Sequence, residues 1–203
     1  MRAARMTTTA APDPEARPHP SRETHVTTGA TVWLTGLPSA GKTTIAHELA
    51  GLLRAGGRRV EVLDGDEIRE FLTADLGFSR ADRHTNVQRI GFLAELLARN
   101  GVTALVPVIA PYADSREAVR GRHAAGGTAY VEVHVATPVE VCAERDVKGL
   151  YAKQAAGEIS GLTGVDDPYE EPLAPDLRIE SQEQSVAESA AAVHQLLVER
   201  GLA

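Results

Sequence analysis

At 203 residues, with a net charge of −7 and a single cysteine, the chain suits one α/β domain with a full core plus a tail. The acidic balance without a basic stripe excludes a nucleic-acid-coating surface, and Cys142 alone excludes a disulfide framework or a paired-thiol metal site. No apolar run reaches the about 18 residues of a membrane span, and Arg2 and Arg5 precede no apolar signal core, so a cytoplasmic protein is expected.

Residues 1–27 are rich in Ala, Pro, Thr and Arg, and they are expected to be a disordered tail ahead of a folded unit at 28–203. Thr31–Thr35 is β-branched and apolar, as a buried strand is. It leads into Gly36-Leu37-Pro38-Ser39-Ala40-Gly41-Lys42-Thr43-Thr44, and Ile45, Ala46, Leu49, Leu52 and Leu53 then recur at helical spacing. Strand, glycine loop and helix make a phosphate-binding loop. Its backbone N–H groups point at phosphate oxygens, Lys42 adds charge near the β- and γ-phosphates, and the Thr43 hydroxyl suits Mg²⁺. The chain is therefore read as binding a nucleoside triphosphate through Gly36, Ser39, Ala40, Gly41, Lys42, Thr43 and Thr44.

Gly56-Gly57 ends that helix, and Arg59–Leu63 reads as a second strand running into Asp64-Gly65-Asp66 and a short helix over 67–72. Carboxylates at the C-terminal end of a parallel strand lie where α/β sheets bind ligands. Asp64 suits Mg²⁺ through water, and Asp66 suits proton abstraction from an attacking hydroxyl; a helix cap is the plainer role for either. Ser79 with Asp82 resembles a capping box opening a helix to Arg99, with Val87, Ile90, Ala94, Leu97 and Ala98 as its core stripe. Arg83, Asn86 and Arg89 form a polar row beside that stripe. With Phe78 at its head, the row suits either solvent or an anionic ligand carrying a flat base.

Residues 102–110 read as a buried parallel strand whose pairing frays at Pro107. A helix carrying Ser115, Arg116 and Arg120 follows Pro111-Tyr112. In the next strand, 129–136, Glu132 and His134 alternate with valines, which indicates a polar side or a nearby edge, with His134 a paired structural residue. Thr137-Pro138 opens a helix through Arg145, with Cys142 buried in it. Residues 146–172 lack apolar periodicity and are expected to be a long functional loop that closes as a lid. A last strand at 176–179 and an amphipathic helix at 185–200 complete an alternating pattern that implies a parallel sheet covered on both faces.

From about residue 30 to the end, the chain resembles the adenylyl-sulfate kinases. The resemblance rests on GLPSAGKTT, LDGDEIR at 63–69, GFSRADRHTNVQRI at 77–90, IAPYADSREAVR at 109–120 and AERDVKGLYAKQAAGEISGLTGVDDPYEEP at 143–172. It implies a P-loop nucleotide-kinase fold with three layers, a five-stranded parallel sheet and a mobile lid, and commonly a homodimer. It also implies phosphoryl transfer from MgATP to the 3′-hydroxyl of adenosine 5′-phosphosulfate (APS), giving PAPS and ADP in sulfate assimilation. By matched position, Asp66 is the base; Arg69, Phe78, Arg83 and Asn86 bind APS; Lys148 lies near the substrate; Gly36, Gly41, Lys42, Thr43 and Thr44 serve ATP; and Asp64 lies where it can serve Mg²⁺.

The chain departs from the family pattern on the acceptor side. Ala110 stands in the serine position of Ile-Ser-Pro, which removes a hydroxyl able to carry phosphate and favours direct in-line transfer. Leu162 replaces the lid phenylalanine that would face Phe78 across the adenine, where stacking is worth roughly 1–3 kcal/mol. Ala155 and Ser160 replace lid cations. Two alternatives to the leading reading therefore stand: a kinase of a related nucleotide-linked acceptor, and a nucleotide-binding regulatory domain without activity.

Overall fold

The computed structural model describes residues 28–203; the expected tail at 1–27 lies outside the described residues. Five parallel strands, β1 (Ala30–Thr35), β2 (Val60–Val62), β3 (Thr103–Pro107), β4 (Ala129–Val135) and β5 (Leu177–Ile179), form one sheet in the order β2-β3-β1-β4-β5. Seven helices cover it: α1 (Lys42–Ala55), α2 (Gly65–Glu70), α3 (Arg80–Ala98), α4 (Ala113–Ala125), α5 (Val139–Arg145), α6 (Leu150–Ala155) and α7 (Val186–Glu199).

Strand alternation divides the core into two apolar layers. Val32 and Leu34 of β1, with Val131, Val133 and Val135 of β4, face a cluster completed by Ile45 and Leu49 of α1 and Val193 and Leu197 of α7. Trp33 of β1, with Ala104 and Val106 of β3, faces the other cluster, with Val87, Ile90 and Ala94 of α3 and Val119 of α4. All six residues of β1 are buried, as a central strand covered on both faces must be. None of the described helices is long and apolar enough to cross a membrane.

Four local departures from the sequence reading have physical causes. Strand β3 stops at Pro107, which has no N–H to donate, and β2 has already left it after the Val62–Leu105 pair. Strand β4 is internal, but β5 pairs only with Val133–Val135, so the edge character holds for its first half alone. Glu132 and His134 are buried: the Glu132 carboxylate accepts from Arg120 (2.9 Å), and its other oxygen lies 3.1 Å from Arg116 Nε, off hydrogen-bond alignment. His134 Nδ1 accepts from Arg178 (3.1 Å), and burial, reinforced by that guanidinium, lowers its pKa to about 4. The segment 146–172 contains α6, too short to show periodicity, whose first N–H groups at Tyr151 and Ala152 donate to the Asp146 carboxylate (3.1 and 3.0 Å). Helix α2 begins earlier than expected, at Gly65, because Asp64 caps it.

The second half of that segment is strapped down. Arg83 donates to Gly161 O (2.7 Å), Tyr112 to the Asp167 carboxylate (3.2 Å), Ala113 N to Glu170 (2.7 Å) and Arg116 to Glu170 O (2.6 Å).

Gly29, buried where the chain enters β1, leaves no room for a side chain: a Cβ there lies 2.2 Å from Ala98 O and 2.6 Å from Val102 O. Gly29→Ala is expected to lower stability by about 1–3 kcal/mol in urea unfolding. Gly51→Ala, exposed on α1 with nothing within 4 Å of the new methyl, is expected to raise it by up to about 1 kcal/mol.

Candidate active site

Every strand delivers its following loop to the same end of the sheet, and β1 delivers the phosphate loop. Gly36 (φ 157°) passes so close to β4 that a Cβ would sit 2.4 Å from Val135 O. Gly41 (φ 102°) is the N-cap of α1, and no side chain caps that end, so its first N–H groups are free to take an anion. The loop is braced from beneath: Ala40 O accepts from Thr137 and Ser181 (both 2.9 Å), and Tyr151 donates to Pro38 O (3.1 Å). Lys42 is buried, and its ammonium donates to Gly36 O (2.9 Å) and Leu37 O (2.7 Å). Burial above all lowers its pKa to about 8, against the smaller opposing pull of Cys142, Asp66 and Asp64.

Across the cleft, Asp64 caps α2 by accepting from Asp66 N (2.9 Å), and its other oxygen accepts from the Thr43 hydroxyl (3.1 Å). The cap role thus falls to Asp64 and leaves the Asp66 side chain free of it. The exposed Asp66 carboxylate meets the Lys148 ammonium, reaching over from the segment after α5. Thr43 and Asp64 make a neighbouring pair of oxygen donors, which fits a hard cation whose other ligands are phosphate and water. Among the described residues no cluster of three or more His, Cys, Asp or Glu side chains offers a complete metal cage.

The acceptor side is cationic around one exposed ring. The Arg69 guanidinium lies 4.5 Å and that of Arg83 5.6 Å from the Phe78 ring centre, and Phe78 itself is 67% exposed. Burial, then the charge of Arg83, lowers the Arg69 pKa. Arg83 donates to Phe78 O (2.9 Å) as well as to Gly161 O (2.7 Å), and Asn86 accepts from Thr73 (2.8 Å). Arg89, expected in the same row, instead forms a two-pronged pair with Asp75 (2.6 and 2.9 Å). Ala110 adopts φ 45°, with its carbonyl held by Arg116 (2.8 Å).

One cleft of about 750 Å³ unites these parts: the loop from Ser39 to Thr44, Asp64, Asp66, Arg69, Phe78, Arg83, Asn86, Ala110 and Lys148 all line it. Lys42 and Asp66 open onto the same space. Gly36 lies beneath the loop and reaches the cleft only through its carbonyl on Lys42. Leu162 is not in the cleft wall: it is buried in the layer containing α1 and α7, so it forms no facing wall to Phe78. Sequence reading missed Arg145, Ser181 and Gln184, which line the end beside the phosphate loop. Their one signal was position: Arg145 ends α5, and Ser181 and Gln184 lie in the connection from β5 to α7.

A triphosphate loop after the central strand, with a carboxylate across a single cleft, defines a P-loop kinase of small molecules. A family model for adenylylsulphate kinase matches residues 28–180. The adenylyl-sulfate kinase of Rippkaea orientalis is 54% identical over 173 residues, which is 85% of this chain and 93% of that protein. A probable adenylyl-sulfate kinase of Synechocystis is 53% identical over 84% of this chain and 94% of its own length. The structure of the Mycobacterium tuberculosis APS kinase in complex with AMPPNP and APS superposes with a TM-score of 0.82 at 46% identity, covering 84% of this chain and 98% of that one. The chain belongs to the adenylyl-sulfate kinase family.

Because Lys42 is half neutral near pH 8 in the free protein, a bound triphosphate, which favours the ammonium, must draw in a proton above that pH. At about pH 9, calorimetry in buffers of different ionisation heat is expected to show uptake of up to about one proton per ATP, lost in Lys42→Met. The same shift has the opposite sign for folding: the unfolded chain binds the proton more tightly, so the free protein gains stability as pH rises from about 8 towards 10.5.

Proposed function

We propose that this chain transfers the γ-phosphoryl group of ATP to the 3′-hydroxyl of APS by direct in-line displacement, giving PAPS and ADP. The observation that carries this reading is the single cleft shared by Lys42 and Asp66. Asp66 takes the proton of the 3′-hydroxyl as that oxygen bonds to the γ-phosphorus, and the bond from phosphorus to the β,γ-bridging oxygen breaks with its electrons leaving on ADP. Lys42 and the uncapped N–H groups of α1 hold the charge that shifts onto the β,γ oxygens. Thr43 and Asp64 would hold Mg²⁺, which when bound neutralises charge on the β- and γ-phosphates. Arg69, Arg83 and Asn86 bind the anionic bridge of the acceptor, while Phe78 takes its base on one face. Lys148 moves from Asp66 to the incoming anion, freeing the carboxylate to act. Ala110 has no hydroxyl to phosphorylate, which supports a transfer without a phosphoenzyme.

The lid is proposed for 152–160 alone, since Tyr151 braces the phosphate loop and residues 161–170 carry the straps described above. A homodimer belongs to the proposal on the family resemblance, checked by a sedimentation mass twice that of the chain.

ADP release with purified protein, ATP, Mg²⁺ and APS tests the function; no turnover overturns it. Asp66→Asn is expected to lower kcat by about 10²–10⁴-fold with ATP affinity kept, and full activity would remove Asp66 from the role of base. Incubation with γ-labelled ATP is expected to leave no acid-stable label on the protein.

A further inference from the structure

Thr73 lies between α2 and α3, fully buried and outside the cleft. Its backbone N–H donates to Ile68 O (3.0 Å), which already ties the turn to α2. Its hydroxyl therefore has a choice of acceptor. Ile68 O lies 3.4 Å away and has its donor; Asn86 Oδ1 lies 2.8 Å away. The shorter contact takes the proton: 2.8 Å is an ordinary hydroxyl distance, whereas 3.4 Å lies outside the range of about 2.5–3.0 Å for O–H···O bonds.

That one bond fixes the sense of the Asn86 amide. A side-chain amide presents either an acceptor or two donors to a given side, and its two ends have nearly the same shape. With Oδ1 turned inward to Thr73, the amide nitrogen is the end left to face out. Asn86 is 9% exposed and lines the cleft, and its nitrogen has no acceptor among the described residues. It is also absent from the buried polar atoms that lack a partner, so this nitrogen retains some exposure, on a residue that lines the cleft. The neighbours match it: Arg83 spends Nε and one terminal nitrogen on Phe78 O and Gly161 O, and Arg69 spends one on Gly77 O (3.1 Å), leaving only N–H groups to face inward.

We infer that Thr73 is a positioning residue for the acceptor: it locks the Asn86 amide donor-side inward and so completes an all-donor wall that selects an anion. This rests on the acceptor reading given above. Without the hydroxyl, the amide can rotate, and its carbonyl then meets the acceptor's negative charge.

Steady-state kinetics with APS and ATP varied separately test this in Thr73→Val, which keeps the shape and removes the hydroxyl. The expected result is a rise in KM for APS of about tenfold, with KM for ATP unchanged, and recovery in Thr73→Ser. In an Asn86→Ala background, Thr73→Val is expected to add no further rise. Should Thr73→Val not fold, Thr73→Cys, of similar volume but a weak donor, carries the same expectation. Equal KM for APS in Thr73→Val and wild type, equal rises for both substrates, or an undiminished effect in Asn86→Ala overturns the inference. Wild-type protein that does not turn over APS would instead overturn the acceptor reading itself.

Discussion

The structure depends on holding an ammonium group largely out of water at the floor of the cleft. Lys42 starts a helix whose first turn has no side-chain cap, one glycine loop beyond a strand buried at every position. Two loop carbonyls, those of Gly36 and Leu37, take two of its three protons. Those carbonyls are available because Gly36 lets the chain pass against β4 at a distance that no side chain permits. The resulting loop is an anion socket braced by Thr137, Ser181 and Tyr151. Preorganisation of this kind makes electrostatic stabilisation effective, since the dipoles need not reorient during transfer.

Much of this was legible in the sequence because short-range rules govern it. The phosphate loop reads from glycine spacing between an apolar strand and an amphipathic helix. The Ser79 cap reads as well: its hydroxyl accepts from Asp82 N at 3.1 Å. Asp64 and Asp66 were placed at the right strand end, but which of them caps the helix depends on a two-residue shift in where α2 begins. Spacing alone does not fix that shift.

The unread parts are those set by tertiary partners. Arg83 and Arg89 sit on the same helix at neighbouring turns, yet one is drawn into the cleft by Phe78 O and Gly161 O, and the other is drawn away by Asp75. Leu162 occupies a position where motif matching expects a ring over the acceptor, but a leucine gains more by burial against α1 than by standing at a cleft wall. Glu132 and His134 gave an alternating polar pattern that suits solvent; guanidinium groups from α4 and β5 make burial possible instead.

Arg116 links three pieces of chain far apart in sequence: the carbonyl of Ala110, the carboxylate of Glu132 and the carbonyl of Glu170. It is 4% exposed, so any donor left over has no water to turn to. The cleft wall, the sheet and the strapped end of the neighbouring segment are thereby one mechanical part. Anyone reshaping this kinase for a different acceptor inherits that coupling: a loop transplanted without its arginine, or an arginine without its carbonyls, arrives with an orphaned charge, and the three must be exchanged as a set.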